Sequence, residues 1–525
     1  MSAILLGADL FFKRGLFMII FNKKEAYAAD EHTINCLGIS SEMLMENAGQ
    51  AICHEILKFA NPNDTISVFC GRGNNGGDGI VVARRLKNLN FNVNLVLLED
   101  PSEYQNAALY HMNLYLKHGY DFVKYSSSAE NIIQQSTIIV DAMFGIGFRG
   151  EISPEYSEVF YKINQSNAKI IAIDIPSGVS ADGKVSKNAI RVDLTLTISF
   201  PKISAFLYPS KLNYGKILVV DAGIIYDKKN QTQIKQTWSR SDFFSTLPFP
   251  APSANKASNK RALIVSGSAH MPGAAILCAK ACFSAGIGLL KLATTQAVKS
   301  QITAHLPEAT HTKCFEENGT LCDFEIPEKV DIIACGPGIS RNFCARNVVK
   351  KAILSDLPIV LDADALYFLD SDLLKLLKAR KSPSILTPHT GEMARLCGVE
   401  AGEIEKNRFE ISSQKAIELN CFLVLKGPHT ILSTPDGNQF VNQSGNQSLA
   451  KAGTGDVLTG IITAFVPSHQ SVQQAISNAI YAHGRSADLL VEFEKDTRCV
   501  LATNVVENLS SVFKEAQKKD QTILK

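Results

Sequence analysis

Two α/β domains in series are the fold class that this 525-residue sequence predicts. Short continuous apolar runs alternate with helical patterns over most of the chain, as in parallel sheets covered by helices on both faces. The alternation lapses between about residues 226 and 260, where the sequence is polar and rich in Pro, Ser, Asn and Lys. The length also favours two domains or more, at roughly 100–200 residues per domain.

In the first half, MLMENAGQAICHEILKFA has the apolar spacing of an amphipathic helix. A sheet with its covering helices is predicted to follow it. Strands are expected from TISVFC, NVNLVLL, TIIVDAMFG and KIIAIDIPSG, and helices from IVVARRLKNL, ALYHMNLYLKHG and PEYSEVFYKINQS.

The pattern resumes after Lys260. Strands are expected from RALIVSGS, LLKLAT, VDIIACGPG, IVLDADAL, SILTPHTGE and FLVLKGPHT, and helices from GAAILCAKACFSAGIG and AGTGDVLTGIITAFV. We therefore divide the chain into domains over residues 1–228 and 256–525, with a linker over 229–255. The single tryptophan, Trp238, is expected to anchor that linker to a domain.

Composition narrows the class of protein. A formal net charge of +2 gives no strong attraction to nucleic acid or membrane. The first residues resemble a targeting segment only faintly, because Lys13 and Arg14 interrupt the apolar run, and Met18 is an alternative start. Twelve cysteines without a C-x-x-C pair predict free, buried thiols in a reducing cytosol, so a cytoplasmic location is expected.

The loop CGRGNNGGDG follows the first strand and contains G-x-G-x-x-G, the spacing of a dinucleotide-binding turn. Glu99 and Asp100 close the next strand, where a dehydrogenase also carries an acid. An NAD-dependent dehydrogenase is therefore one interpretation, and a non-enzymatic dinucleotide-binding module is another. Asn74, Asn75 and Asp78 argue against a dehydrogenase, because their oxygens suit a hard cation or a polar ligand better than bare phosphate.

Four ordered motifs, MENAG, GRGNNGGDG, DAMFGIG and AIDIPSGVSADG, together resemble the NAD(P)H-hydrate epimerase domain over about residues 24–225. The resemblance implies a Rossmann-like three-layer fold and a substrate whose hydrated nicotinamide is interconverted between R and S forms. It implies that Asn75, Asp141 and Ser177 ligate K⁺. Substrate contacts are implied for Asn74, Asn75, Gly76, Gly77, Asp78, Gly145, Ile146, Gly147, Phe148, Arg149, Gly150, Glu151 and Asp174.

Epimerisation by ring opening or by loss and re-addition of water requires a proton shuttle, and the sequence leaves both routes open. Asp174, at a strand exit, is the carboxylate expected to be catalytic.

In the second half, AGTGDVLTG carries Gly453 and Gly455 at the predicted start of a helix, where backbone N–H groups favour a phosphate or a developing anion. Asp456 follows directly, and a carboxylate beside an anion hole is suited to accept a proton from a reacting hydroxyl. His389 and the run KGPHT lie at further strand exits. No G-x-x-x-x-G-K-[ST] is present, so a P-loop is not predicted.

The strings ACGPGIS, ILTPHTGEMARLCG, VLKGPHT and GNQSLAKAGTGDVLTGII resemble the ADP/ATP-dependent NAD(P)H-hydrate dehydratase over about residues 256–508. This resemblance implies a ribokinase-like fold, a Mg²⁺ requirement and Asp456 as the catalytic base. The C6 hydroxyl of the S hydrate would attack a terminal phosphoryl group, and phosphate would then leave. Hydrate contacts are implied for Ala274, Gly338, His389 and Asp456, and nucleotide contacts for Lys426, Gly427, Pro428, His429, Thr430 and Gly455.

The two resemblances together predict a bifunctional NAD(P)H-hydrate repair enzyme that acts on hydrated NADH and NADPH and releases phosphate, with AMP when ADP is the cosubstrate. ADP is expected over ATP, and a homo-oligomer without nucleic-acid or membrane partners is expected. The alternative is a ribokinase-like small-molecule kinase fused to a dinucleotide-binding domain, which would leave a stable phosphorylated product.

Overall fold

The computed structural model describes residues 18–126, 130–227, 233–253 and 259–523. The faint targeting pattern before Met18 lies outside these residues. The chain divides into two compact units, Met18–Thr232 and Gln233–Lys525.

A seven-stranded sheet forms the centre of the N-terminal unit. Its strands are β1 (Thr65–Cys70), β2 (Asn92–Leu97), β3 (Phe122–Lys124), β4 (Ile138–Ala142), β5 (Lys169–Ile173), β6 (Leu194–Ile198) and β7 (Lys216–Val220). Every neighbouring pair is parallel, in the order β3-β2-β1-β4-β5-β6-β7. The helices are α1 (Lys23–Glu31), α2 (Ser41–Leu57), α3 (Asn74–Asn88), α4 (Asn106–Lys117), α5 (Glu130–Gln135) and α6 (Pro154–Asn164).

Both faces of this sheet are covered. Alternate residues of one strand point into separate apolar clusters, with Val68 in one and Phe69 in the other. Burial on both faces explains why β1 and β4 read as continuous apolar runs rather than as alternating ones. The predicted Rossmann-like three-layer arrangement is confirmed.

The glycine-rich run after β1 differs from its prediction as a loop. Helix α3 begins at Asn74, with Gly73 as its N-cap, so NNGGDG forms the first turns of the helix. Glycine permits this because the helix lies very close to the sheet: a Cβ on Gly79 would lie 2.6 Å from the Cβ of Ala142. The N-terminus of α3 therefore lies directly at the carboxyl end of β1.

The C-terminal unit is built on a ten-stranded sheet and a separate two-stranded ribbon. The strands are β8 (Lys235–Trp238), β9 (Arg261–Val265), β10 (Leu289–Ala293), β11 (Thr310–His311), β12 (Cys314–Glu317), β13 (Thr320–Phe324), β14 (Ile332–Cys335), β15 (Ile359–Leu361), β16 (Ser384–Leu386), β17 (Phe422–Leu425), β18 (Ile431–Ser433) and β19 (Gln439–Asn442). The large sheet has the order β11-β10-β9-β14-β15-β16-β17-β18-β19-β8. Its pairs are parallel from β11 to β17, whereas β18 is antiparallel to both of its neighbours.

Helices cover this second sheet on both faces, where two large apolar clusters take alternate strand residues such as Ile264 and Leu263. The helices are α7 (Arg240–Thr246), α8 (Pro272–Ser284), α9 (Gln296–His305), α10 (Ala345–Ile353), α11 (Asp364–Tyr367), α12 (Ser371–Lys378), α13 (Thr390–Cys397), α14 (Ala401–Lys406), α15 (Arg408–Glu418), α16 (Thr454–Phe465), α17 (Val472–Phe493), α18 (Ala502–Glu507) and α19 (Leu509–Ile523).

The prediction of a linker over 229–255 is wrong for much of that segment. Strand β8 and helix α7 lie within it, and β8 pairs in parallel with β19 as the edge of the large sheet. Trp238 is buried at 3% exposure, and its indole Nε1 donates to Asn478 Oδ1 at 3.0 Å. Residues 233–253 are therefore an integral part of the C-terminal unit.

The prediction that all twelve cysteines are free thiols is also wrong, because Cys322 and Cys344 pair as a disulfide that links β13 to the start of α10. The other ten are free, and six of them are buried: Cys53, Cys70, Cys278, Cys282, Cys335 and Cys421. Over the described ranges, no helix combines the length and apolar character needed to cross a membrane.

Candidate active sites

The N-terminal unit contains a cavity of about 720 Å³ at the carboxyl ends of its strands. Residues after β1, β2, β4 and β5 line it, together with side chains of α1 and the segment after β6. It brings together most of the substrate contacts expected from sequence: Asn74, Asn75, Asp78, Gly145, Ile146, Gly147, Phe148, Arg149, Glu151 and Asp174. This volume is in the range of small-molecule and cofactor sites.

Three expected contacts, Gly76, Gly77 and Gly150, do not line the cavity. A Cβ on Gly76 would lie 1.6 Å from the carbonyl oxygen of Gly71, and one on Gly77 would lie 2.5 Å from Met45 Sδ. The two helical glycines therefore allow α3 to pack closely against its surroundings. Gly150 has φ +98° and accepts a hydrogen bond from a serine hydroxyl through its carbonyl oxygen.

Replacing Gly76 with alanine is expected to destabilise the N-terminal unit by about 3 kcal/mol or more, because the added Cβ meets backbone that has no room to move. The matched control is Gly73→Ala, since a Cβ there has nothing within 4 Å and the backbone has negative φ. Thermal unfolding of the N-terminal transition measures both variants. Equal midpoints for the two would contradict the close packing.

Asp174 lies directly after β5 and is held in an unusual conformation. Its φ is +64°, a left-handed backbone that non-glycine residues rarely adopt and that is concentrated at functional sites. Its Oδ1 accepts from Thr197 Oγ1 and from the Ile198 N–H, both at 3.1 Å, and forms an ion pair with Lys202 Nζ. These contacts fix the carboxylate and leave its second oxygen for a ligand.

Two further acids share this end of the cavity with Asp174 and Lys202. Burial raises the pKa of Asp78 well above its usual value, and nearby Asp174 and Asp30 raise it further. Burial likewise raises the pKa of Asp30 to about 6. Burial therefore favours the neutral form of the Asp78 carboxyl, so a group suited to donate a proton and an ion-paired carboxylate line one cavity.

Sequence reasoning missed Asp30 and Lys202. Lys202 lies in PKISAF, four residues after the end of β6, and a cation at a strand exit was a usable signal. Asp30 comes from α1, which precedes the sheet, and no local pattern marks it.

The three residues expected to ligate K⁺ are joined through one peptide segment. The Asn75 side-chain amide donates to the Phe144 carbonyl at 2.9 Å, and the Phe144 N–H donates to Ser177 Oγ at 2.9 Å. The Ser177 hydroxyl and N–H in turn donate to Asp141 at 2.5 and 2.7 Å. Burial raises the pKa of Asp141 to about 6, although these hydrogen bonds oppose the rise.

Asn75 Oδ1 is buried and has no hydrogen-bond donor among the described residues. An unpaired buried oxygen costs free energy, so this atom is available to a ligand. The donor set is an amide oxygen, a hydroxyl and a carboxylate without a cationic side chain bonded to it, and this set fits a hard monovalent cation.

In the C-terminal unit, the expected base and nucleotide-binding residues converge. Gly453, with φ +86°, is the N-cap of α16, and Asp456 lies in the first turn of that helix. A Cβ on Gly455 would lie 3.4 Å from Lys426 Nζ, and Lys426 donates to Asp362 Oδ1 at 2.8 Å. The anion-binding helix end and the lysine of KGPHT therefore meet.

Asp362 was missed in the sequence, although it closes β15 in the quoted run IVLDADAL. Its second oxygen accepts from Thr459 Oγ1 at 2.7 Å, which ties β15 to α16. Burial, followed by the charge of Asp362, raises the pKa of Asp456 to about 7. Burial alone would lower the pKa of Lys426, but Asp362 and Glu392 outweigh it and raise that pKa.

The loop KGPHT rests on a buried cation that sequence reasoning also missed. The Arg408 guanidinium, 2% exposed, donates to the carbonyl oxygens of Leu425 and Lys426, each at 3.2 Å. A Cβ on Gly427, where φ is +147°, would lie 2.9 Å from this guanidinium. The loop glycine therefore permits the close approach of Arg408. Thr430 Oγ1 donates back to the Gly427 carbonyl, while Pro428 and the left-handed His429 form the turn between them.

The remaining expected hydrate contacts lie in two places. A Cβ on Gly338 would lie 2.9 Å from the Cβ of Ala274, so these two residues are neighbours. His389 is the N-cap of α13, and its Nδ1 accepts from the N–H groups of Gly391 and Glu392 at 3.0 and 3.3 Å. Its ring is 60% exposed, so it combines a structural role with an accessible edge.

Acid-lined sites at the carboxyl ends of two α/β sheets place the chain among two-domain enzymes that act on nucleotide-like ligands. Two family models match it. One, described as YjeF-related protein N-terminus, matches residues 41–204. The other, described as NAD(P)H-hydrate dehydratase, matches residues 262–510.

Several relatives resemble the chain along most of their length. The bifunctional NAD(P)H-hydrate repair enzyme Nnr of Moorella thermoacetica is 33% identical, with 93% of this chain and 95% of the relative covered. The ADP-dependent (S)-NAD(P)H-hydrate dehydratase of Bacillus subtilis is 35% identical over 53% of this chain and 97% of the relative. A crystal structure of the Bacillus subtilis ADP/ATP-dependent enzyme, co-crystallised with ATP/Mg²⁺, is 33% identical, with a TM-score of 0.47 over 53% of this chain and 98% of its own.

The chain belongs to the family of bifunctional NAD(P)H-hydrate repair enzymes. The family predicted from the sequence motifs is therefore confirmed, as is its division into an epimerase-type and a dehydratase-type half. The C-terminal unit accordingly has the ribokinase-like α/β fold that the dehydratase resemblance implied.

Proposed function

We propose that this chain repairs hydrated nicotinamide dinucleotides. The N-terminal unit interconverts the R and S hydrates, and the C-terminal unit dehydrates the S form at the expense of ADP or ATP. The observation that carries the proposal is that the ion-paired Asp174 carboxylate and the buried Asp78 carboxyl, whose pKa burial raises, line the same N-terminal cavity. The Moorella relative is named a bifunctional NAD(P)H-hydrate repair enzyme, which supports two activities in the repair of this class of substrate.

Asp78 and Asp174 supply the acid and the base that epimerisation requires. In the water-loss route, the ring nitrogen lone pair forms a double bond to C6 as the C6–O bond breaks, and Asp78 protonates the departing oxygen. Water then adds to the opposite face of C6 and gives its proton to Asp174. Ring opening would use the same groups, with Asp174 taking the hydroxyl proton while Asp78 protonates the ring nitrogen.

Asn75, Asp141 and Ser177 are the residues that would hold K⁺. The buried Asn75 Oδ1 without a partner among the described residues supports this assignment, as does the buried Asp141 carboxylate. The ion would supply positive charge beside the segment from Phe144 to Glu151, next to the substrate pyrophosphate. Epimerisation is therefore expected to slow when choline replaces K⁺.

In the C-terminal unit, Asp456 takes the proton of the C6 hydroxyl as that oxygen attacks the terminal phosphoryl group of ADP or ATP, whose bond to the leaving AMP or ADP breaks. The N–H groups at Gly453–Gly455 and the Lys426 ammonium stabilise the phosphoryl charge. The ring nitrogen then expels phosphate as the C6–O bond breaks, and C5 loses a proton to the released phosphate. This sequence converts a poor leaving group into a good one and restores the nicotinamide ring.

Mg²⁺ would be held largely by the nucleotide phosphates. Within the described segments, no group of three or more His, Cys, Asp or Glu side chains is arranged to hold a metal ion. Glu392, whose carboxylate lies 4.0 Å from Lys426 Nζ, is the protein residue that fits a supporting contact.

The proposal is tested by incubating a mixed R and S hydrate with the full chain, Mg²⁺ and either ADP or ATP. Complete recovery of the nicotinamide chromophore, with release of inorganic phosphate, is expected. Conversion that halts near the S fraction would remove the epimerase activity from the proposal. A stable phosphorylated product would favour the kinase alternative.

The rate of dehydration is expected to rise with pH between about 6 and 8. Because the pKa of Asp456 is raised to about 7, its ionised, proton-accepting form increases across this range. The kcat of dehydration measured at saturating ADP and S hydrate should follow a single ionisation near pH 7. A kcat that stays flat, or that falls across the range, would contradict Asp456 as the base.

A cytoplasmic, homo-oligomeric enzyme without nucleic-acid or membrane partners remains our proposal for its cellular form. The formal net charge of +2 supports the lack of electrostatic partners. Sedimentation velocity of the purified chain measures the oligomeric state.

A further inference from the structure

Glu99, a carboxylate that the epimerase chemistry does not use, lines the same cavity as Asp174. It lies two residues after the end of β2. Its Oε1 accepts a hydrogen bond from Tyr156 Oη, while Oε2 is buried and has no donor among the described residues. A buried carboxylate oxygen without a partner carries a desolvation cost that an incoming donor would remove.

The position of Glu99 in the sheet indicates which part of a bound substrate would supply a hydrogen-bond donor to it. The strand order is β3-β2-β1-β4-β5, with a glycine-bounded helix start after β1 and this acid at the end of β2. In sheets of this order a dinucleotide crosses the crevice, its pyrophosphate at the helix start and its adenosine ribose against the acid after β2.

The distance along the sheet fits the length of one such substrate. From β2 to β5 there are three strand spacings of about 4.8 Å, so Glu99 and Asp174 mark points roughly 14 Å apart along the sheet. With the hydrated nicotinamide at Asp174, as the proposed function has it, the other ribose of an extended dinucleotide reaches the Glu99 end.

We propose that Glu99 accepts hydrogen bonds from the adenosine ribose hydroxyls and thereby makes the N-terminal unit prefer hydrated NADH over hydrated NADPH. This inference rests on the proposed function. A 2′-phosphate removes the hydroxyl donor and brings negative charge against the carboxylate, so the same residue both attracts one substrate and rejects the other.

The surrounding charges support this preference. Arg72 also lines the cavity and is the cation nearest in sequence to the helix start, but its guanidinium is paired with Glu103 at 2.8 Å. The Asp100 carboxylate, next to Glu99, lies 3.4 Å from Lys124 Nζ. Arg72 and Lys124 are thus each ion-paired with one of these acids. The charge of Arg72 only partly offsets the burial that raises the pKa of Glu99. Among the described residues at this end, a 2′-phosphate would meet the Glu99 carboxylate without a cation beside it that lacks an ion-pair partner.

The test compares kcat/KM for epimerisation of hydrated NADH with that of hydrated NADPH. The wild-type chain is expected to prefer hydrated NADH by about tenfold or more, and Glu99→Gln is expected to shrink that preference by about tenfold. The matched control, Glu155→Gln, removes an exposed carboxylate next to Tyr156 while leaving Glu99 and the Arg72–Glu103 ion pair in place. It is expected to change the ratio by less than about threefold.

An unchanged ratio in Glu99→Gln, or a wild-type preference for hydrated NADPH, would overturn the inference. Dehydration of S hydrate verifies that the C-terminal unit of each variant is folded, and the midpoint of the N-terminal thermal transition verifies the unit that carries Glu99. If the wild type epimerises neither hydrate, the proposed function fails, and Glu99 is tested by calorimetric titration with NADH and NADPH. Because only the N-terminal unit differs between Glu99→Gln and the wild type, a change in the ratio of NADH to NADPH affinity is assigned to that unit. An unchanged ratio would reject the role of Glu99.

Discussion

Asp456→Asn is expected to lower the kcat of dehydration by about 10³-fold while leaving epimerisation by the same chain unchanged. The amide has nearly the shape of the carboxylate but cannot accept the proton of the attacking hydroxyl. The start of α16 and the Lys426–Asp362 ion pair are not altered by the change, so binding of ADP should persist. Release of inorganic phosphate and recovery of the nicotinamide chromophore measure the loss, and calorimetry measures ADP binding.

The matched control is Asp436→Asn, which neutralises an exposed carboxylate in the turn between β18 and β19 of the same unit. It should retain full activity. If Asp456→Asn keeps more than about a tenth of the wild-type kcat, Asp456 is a helix-terminus residue and another group accepts the proton. Loss of both activities together would instead indicate a folding defect.

The strand exits were the part of both sites that the sequence could predict. Asp174 and Asp456 each follow an apolar run or a glycine turn, and the rule that ligands bind beyond the carboxyl ends of parallel strands depends only on the order of local patterns. Residues supplied by other elements could not be found in this way. Asp30 enters the first cavity from α1, and Arg408 supports the KGPHT loop from α15.

The edge of the C-terminal sheet was missed for a related reason. Strand β8 is the four-residue polar run KQTW, and its strand conformation depends on pairing with β19, about 200 residues later in the chain. The polar residues on either side of such a short strand resemble a linker, and they outweigh the strand itself in any local composition. The Cys322–Cys344 disulfide was missed for the same reason, because it joins two elements that become neighbours only in the folded chain.

Asp174→Asn is expected to lower the kcat of epimerisation by about 10³-fold. A mixed hydrate incubated with this variant, Mg²⁺ and ADP should convert rapidly only up to its S fraction, because dehydration continues while the supply of S from R stops. Chiral separation of the remaining hydrate should show the R form alone. The initial rate is the quantity to compare, since it separates the enzyme from slow uncatalysed interconversion.

The substitution separates a chemical role of Asp174 from a structural one. Asn tolerates the left-handed φ of +64° about as well as Asp, so the turn after β5 is preserved. Asn also retains an oxygen that can accept from Thr197 and Ile198, although it loses the ion pair with Lys202. The matched control is Asp182→Asn, an exposed carboxylate in the segment between β5 and β6, which should leave the rate unchanged. Epimerisation by Asp174→Asn within about threefold of wild type would mean that Asp174 only holds the turn. The amide cannot accept a proton, so retained activity would show that the reaction does not use Asp174 as its base.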